Sequence, residues 1–205
     1  MQTIRSLDRR TALAAAAVAA SALFLAGCGD DGNGSATTSP GPTTSVSVPA
    51  GEHNQADVDF AQGMIPHHRQ AVVMADLAET RASSRDVKTL AKEIKKAQER
   101  EIATMSDWLR AWGEEVTQGM DGMDHGDTSS GMMNDQQMND MRGASGGTFD
   151  TMFLTQMIKH HEGAVTMAET EKREGAYGPA KGLADDIITA QKSEITHMRE
   201  MLGTN

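Results

Sequence analysis

From Phe60 to Ala78 the core-type positions return at intervals of three and four, with Phe60, Met64, His67, Ala71, Met74 and Ala78 on one stripe. That is the period of an amphipathic helix. Val87, Ala91, Ile94, Gln98, Ile102, Met105 and Leu109 repeat the pattern further on, and the two-residue alternation of a strand is absent. Sliding Asp57–Leu109 forward by 93 positions lays it on Asp150–Leu202 without a gap, with 20 identities in 53 positions. Each helix therefore has a counterpart, and the chain contains two tandem helical hairpins. Asn54 or Asp57 and Thr148 or Asp150 are candidate N-caps, Gly113 and Gly203 are candidate stops, and Gly175 with Gly178-Pro179 divides the second hairpin. Pro66 predicts a kink in the first helix or a short helix before it, because it lacks a backbone donor and crowds the preceding turn; the second repeat has Lys159 there. Two hairpins that each expose an apolar face bury them by packing together. The predicted fold is all-α, a four-helix bundle with pseudo-twofold symmetry.

The N-terminal pattern differs. Arg5, Arg9 and Arg10 precede an apolar run from Thr11 to Ala26 that ends in Leu25-Ala26-Gly27-Cys28. The run is shorter than the roughly 20 residues that span a bilayer, and it stops at small residues, so residues 1–27 read as a lipoprotein signal peptide with Cys28 as the lipidated residue. The Arg9-Arg10 pair leaves both the general and the twin-arginine export routes open. Residues 28–51, rich in Gly, Ser, Thr and Pro, form a spacer without core-building residues. The bundle then occupies 52–205, with repeat one at 57–113, a connection at 114–147 and repeat two at 148–203. The expected location is the extracytoplasmic face of the cell membrane, with the membrane as partner through the lipid.

Charge and cysteine usage narrow the chemistry. Three arginines and one aspartate leave with residues 1–27, taking the formal charge from -10 to -12. An acidic chain without a basic face is a poor binder of nucleic acid and a natural partner of cations. With the single cysteine committed to the lipid, the folded part has neither disulfides nor thiolate ligands.

What remains for a cation is histidine and methionine. The pattern Met-x-x-His-His-x5-Met occurs twice, at Met64, His67, His68 and Met74 and at Met157, His160, His161 and Met167. On a helix this puts a thioether and one or two imidazoles on one face within a turn. Imidazole with thioether and without thiolate suits copper, Cu(I) above all; zinc and silver rank behind it. Taken singly, methionine at helical spacing is core filler and a histidine pair is a surface feature, but the duplication favours Met64, His67, His68, Met157, His160 and His161 as ligands. Met74, Met105, Met167 and Met198 are assigned to the core. The connection adds Met120, Met123, His125, Met132, Met133, Met138 and Met141, a second, weaker copper site in a segment where Asn134 caps a short helix from Asp135 to Arg142 and Gln118–Gly131 is expected to be disordered. For Met138 and Met141 a role in closing the end of the bundle is an equal alternative.

The residues Phe-x3-Met-Ile-x-His-His-x2-Ala-Val-x-Met-Ala, present from Phe60 and again from Phe153, resemble the family catalogued as domain of unknown function 305. The resemblance covers Asp57 to Leu202. It implies a ferritin-like bundle and, from its exported members, a copper-binding protein of copper tolerance whose His-His and Met positions fall on Met64, His67, His68, Met157, His160 and His161. A ferritin-like di-iron oxidase would need two Glu-x-x-His motifs. Only Glu194-Ile195-Thr196-His197 fits, since repeat one has Glu101-Ile102-Ala103-Thr104. Glu101 and Glu194, with Gln98 and Gln191, are instead candidates to accept the spare imidazole N–H groups, with solvated helix edges as an equal alternative. No nucleophile constellation is present, and no catalysis is expected. The expected function is sequestration or hand-over of copper, with a transfer partner in the envelope and room for a homodimer. The competing reading is a metal-free anchored module that presents its acidic face to another protein.

Overall fold

The computed structural model describes residues 51–117 and 131–203, which fall within one compact unit. The leader, Cys28 and the spacer up to residue 50 lie outside them, as do Met120, Met123 and His125. Five helices follow in order: α1 Gln55–Arg81, α2 Arg85–Trp112, α3 Asp135–Gly143, α4 Gly146–Glu174 and α5 Gly178–Leu202. The long helices α1, α2, α4 and α5 make the bundle. Within it α1 packs on α2, α4 packs on α5, and α1 packs on α4.

Asn54 caps α1, and its side chain accepts from Ala56 and Asp57 while Asp57 returns the bond to the Asn54 backbone. Asp57 is thus the reciprocal partner of a capping box and not the cap itself. The α1 helix is continuous through Pro66, so no separate short helix precedes the proline. Packing against α2 and α4 along its length outweighs one missing backbone bond. The α4 helix begins at Gly146 behind Ser145, earlier than Thr148 or Asp150. Asp150 is occupied elsewhere: its carboxylate accepts from Ser83 N, Ser83 Oγ and Ser84 N of the α1–α2 turn at 3.1, 2.5 and 2.9 Å. The predicted stops hold, with Gly113 and Gly203 in the left-handed conformation that ends α2 and α5,. Pro179 stands in the first turn of α5, where its missing N–H costs nothing,.

The two hairpins clasp each other reciprocally. Asp57, the repeat-equivalent of Asp150, accepts from Ala176 N at 3.1 Å and Tyr177 N at 2.9 Å in the α4–α5 turn. The matching aspartate of each repeat therefore holds the other repeat's turn.

At this end Glu171 breaks the symmetry. It stands where repeat one has Ala78, is buried, and rests against Asp57. Its carboxyl lies so close under Gly175 that a Cβ there would sit 2.1 Å from Oε1. Burial, and then the neighbouring Asp57, push the Glu171 carboxyl up to about 8, against a weaker pull from Lys181,. Burial works to raise Asp57 too, but the N–H groups of Asn54, Tyr177 and Ala176 and the Glu171 carboxyl outweigh it and hold Asp57 below its usual value. Ionised, Glu171 has no hydrogen-bond donor among the described residues; protonated, it donates to Asp57. The fold favours the protonated acid, so its contribution is complete below the ordinary value of 4.5 and decays as pH rises to about 8,. Glu171→Gln, which keeps a donor without a charge, is expected to melt higher than the parent at and above pH 8 and to lose the advantage at or below 4.5, as thermal melts across that range will show. Parallel profiles for the two proteins contradict this assignment.

Candidate metal centre

The core is divided in two. One apolar cluster takes Ala71 to Ala82, Val87 to Ile94, Phe149 to Met157 and Met198, together with Met133, Met138 and Met141. The other takes Val58 to Ile65, Met105 to Leu109, Ala164, Ala168 and Ala180 to Ile187. On every long helix a polar layer lies between them: His67 and His68 on α1, Gln98 and Glu101 on α2, His160 and His161 on α4, Gln191 and Glu194 on α5. All four histidines are fully buried at 0 % exposure, which no ordinary surface role explains,.

The two outer histidines are held by carboxylates. His68 Nε2 meets Glu101 Oε2 at 2.6 Å, and His161 Nε2 meets Glu194 Oε2 at 2.6 Å. Because a carboxylate only accepts, Nε2 carries a proton, and in the neutral ring that leaves the lone pair on Nδ1. Neither His68 Nδ1 nor His161 Nδ1 has a hydrogen-bond partner among the described residues. Glu101 and Glu194 thus take the role expected of them. Gln98 and Gln191 do not, since their buried Oε1 atoms have no partner.

The two inner histidines face each other across the α1–α4 seam. The His67 and His160 rings have centroids 3.8 Å apart and planes inclined by 40°. Among the described residues neither ring nitrogen of His160 meets a partner at full hydrogen-bonding geometry, and the His67 backbone acts on the ring only weakly. Burial first, and then charge on His67, His161 and His68, hold its pKa well below 6.5,. His160 is therefore a neutral imidazole with a lone pair to offer at neutral pH. Buried polar atoms without partners cost on the order of 1–3 kcal/mol each, and a waist that collects several of them is suited to an ion that ligates them.

Met64 and Met157 are also fully buried, on opposite sides of the polar layer, one in each apolar cluster. As the side chains stand, no three His, Asp or Glu groups among the described residues converge on one point. A centre at the waist therefore draws on sulfur beside imidazole, or on rotation of a ring. Both suit a soft ion of low coordination number better than a hard one.

The other sequence candidates separate. Met138 and Met141 are buried in the first apolar cluster with Phe149 and Phe153, where they pack α3 against the bundle. Met133 joins that cluster, while Met132 is partly exposed. Met74, Met105 and Met198 are core as expected, and Met167 is partly buried at its edge. His197 is 55 % exposed and pairs with Glu200, so the single Glu-x-x-His motif points its histidine away from the core. Sequence reasoning passed over Gln70, whose buried amide is bonded to the backbone of Met133. The available signal was a polar residue on the core face of α1, three positions after His67, where repeat two has Gly163.

The family described as Domain of unknown function (DUF305) matches residues 57–202. Among solved structures, a DUF305 fragment from Deinococcus radiodurans is 27 % identical, with TM-score 0.68, covering 74 % of this chain and 98 % of that one. A DUF305 protein from Streptomyces coelicolor, described as a candidate secreted protein, is 30 % identical, with TM-score 0.66 and coverages of 72 % and 91 %. CopM in its Cu(II)-bound form is 35 % identical, with TM-score 0.62 and coverages of 71 % and 94 %; CopM has also been solved with Cu(I) and with silver. Comparison with curated protein sequences gives no match. With a match spanning both repeats and the whole bundle, this chain belongs to the DUF305 family.

Proposed function

We propose that this protein captures copper outside the cytoplasm, as an anchored lipoprotein, and holds it at the waist of the bundle between His67 and His160. The observation that carries the reading is the fully buried layer of four imidazoles flanked by two thioethers. The structural likeness to CopM, solved with Cu(I), Cu(II) and silver, supports the choice of ion. Thioether and neutral imidazole favour Cu(I) over Cu(II), and silver, equally soft, is the expected competitor. Capture needs no chemistry on the ion: a low-dielectric waist whose four imidazoles have no exposed surface keeps bound copper from solvent. Glu101 and Glu194 fix the tautomer and direction of His68 and His161, so their Nδ1 lone pairs point away from the carboxylates,. No helix among the described residues is long and apolar enough to cross a membrane. The anchor of the proposal is Cys28, and the candidate secreted relative supports the compartment.

A Cu(I) titration of the full chain against a chromophoric chelator tests the reading. The parent is expected to withdraw copper, while a variant with His67, His68, His160 and His161 all changed to Ala, checked for helicity by circular dichroism, does not. If neither competes, copper capture fails and the metal-free interaction module is the better account. Equal competition by both places copper in the methionine-rich connection. Glu101→Gln combined with Glu194→Gln leaves the first set of ligands in place, and its copper affinity should fall by about 10- to 100-fold in the same titration. Cys28→Ser should move the protein from the membrane fraction to the soluble one, and unchanged fractionation rules out the lipid anchor.

A further inference from the structure

Residues 131–133 run from α4, beside the backbone of Lys159 and His160, to α1, where Gln70 holds them. Gly131, with φ +71°, lies so close to α4 that a Cβ there would stand 2.1 Å from the Lys159 carbonyl oxygen and 3.2 Å from the His160 Cα. Two residues later the chain is over α1. The Gln70 amide donates to the Met133 carbonyl at 2.8 Å and accepts from the Met133 N–H at 2.7 Å, so one side chain satisfies both backbone groups of one residue. Gln70 is 3 % exposed and Met133 5 %. Since Gln70 follows His67 by three positions, the span from Gly131 to Met133 runs from beside His160 to one turn from His67. It bridges α1 and α4, the two helices whose inner rings face each other.

We infer that Gln70 is a positioning residue for copper entry: it holds the 131–133 strap over the His67–His160 seam, and metal passes in and out when the strap lifts. The inference rests on the copper reading above. Three features of the chain favour it. Both rings under the strap have 0 % exposure, so an ion cannot reach them without local opening,. The Gln70 clamp has no pseudo-symmetric copy, because Gly163 has no side chain to make one, so the bundle is fastened in this way over one face only. Met132 is partly exposed and Met133 buried, which gives an incoming soft cation one thioether near the surface and a second beneath it, in the same apolar cluster as Met157,. The two hydrogen bonds at Gln70 are the natural point of control, since losing either strands a buried backbone group.

Gln70→Leu in the full chain tests this with one readout that needs no metal and one that does. Without metal, the Met133 amide should exchange hydrogen faster, and His160 should react with diethyl pyrocarbonate faster by about tenfold or more, at unchanged helicity. With Cu(I), capture and release should both accelerate while the Kd stays within about threefold, because gating changes rates and not the bound state. Faster Met133 exchange with His160 reactivity unchanged overturns the strap, as does a rise in release alone with capture unchanged. If Gln70→Leu does not fold, Gly131→Ala carries the same measurements, since the added methyl forces the strap off Lys159. A parent that binds no copper defeats the copper reading, and the reactivity of His160 still decides whether the strap shields it.

Discussion

The structure depends on four imidazoles being buried at one level of an otherwise apolar bundle. Neutral and partnered, such a layer is tolerable; charged, it is not, because the rings on α1 and α4 stand close enough to repel. Two devices keep it tolerable. Glu101 and Glu194 reach in from the bundle's rim to bond His68 and His161. Burial itself holds His160 neutral. What these devices leave over is a set of nitrogen lone pairs inside a dry waist, with a thioether in the apolar cluster on either side. A core of Leu and Ile would be more stable than this one by ordinary packing arguments, so the polar layer points to a ligand.

Duplication supplies the geometry. The same hairpin used twice places Met64, His67 and His68 opposite Met157, His160 and His161 when α1 packs on α4. Asp57 and Asp150, each holding the other hairpin's turn, set the relative height of the two repeats. That height matters because the inner rings meet at 3.8 Å, and a shift of one helical turn would separate them. The departures from symmetry are as informative as the symmetry. Glu171 in place of Ala78 adds an acid pair at one end of the bundle, and Gln70 in place of Gly163 ties the connecting segment to one face.

The repeat was the part of the fold most legible in the sequence, since gapless identity over both helices leaves few arrangements other than two packed hairpins. The His-His pairs were also legible, because 3.6-residue spacing puts them on core-facing stripes; Glu101 and Glu194 lie off the stripe, and the sequence alone left them equally open to being solvated helix edges. Helix starts were less so. Thr148 and Asp150 look like caps locally, yet Asp150 is claimed by Ser83 and Ser84 from the distant α1–α2 turn, a contact that no local pattern encodes. Pro66 argued for a kink or a separate short helix by its own chemistry; the separate helix is absent, since α1 runs through the proline while packed on two neighbouring helices. Met138 and Met141 illustrate the limit of reading residue type: thioether serves a core and a metal equally well, and sequence does not tell that they are buried in the apolar cluster that holds Phe149 and Phe153. Gln70 was marked only as a polar residue on a core face, and its partner could not be named because that partner is the backbone of Met133, which leaves no mark in sequence.

A crystal structure of the protein after loading with Cu(I), with anomalous scattering collected at the copper edge, locates any bound copper directly. The account predicts an anomalous peak at the waist, between α1 and α4, bonded to at least one of His67 and His160 and to sulfur. A peak confined to the methionine-rich connection, or on the surface with the four imidazoles left as they stand here, contradicts it.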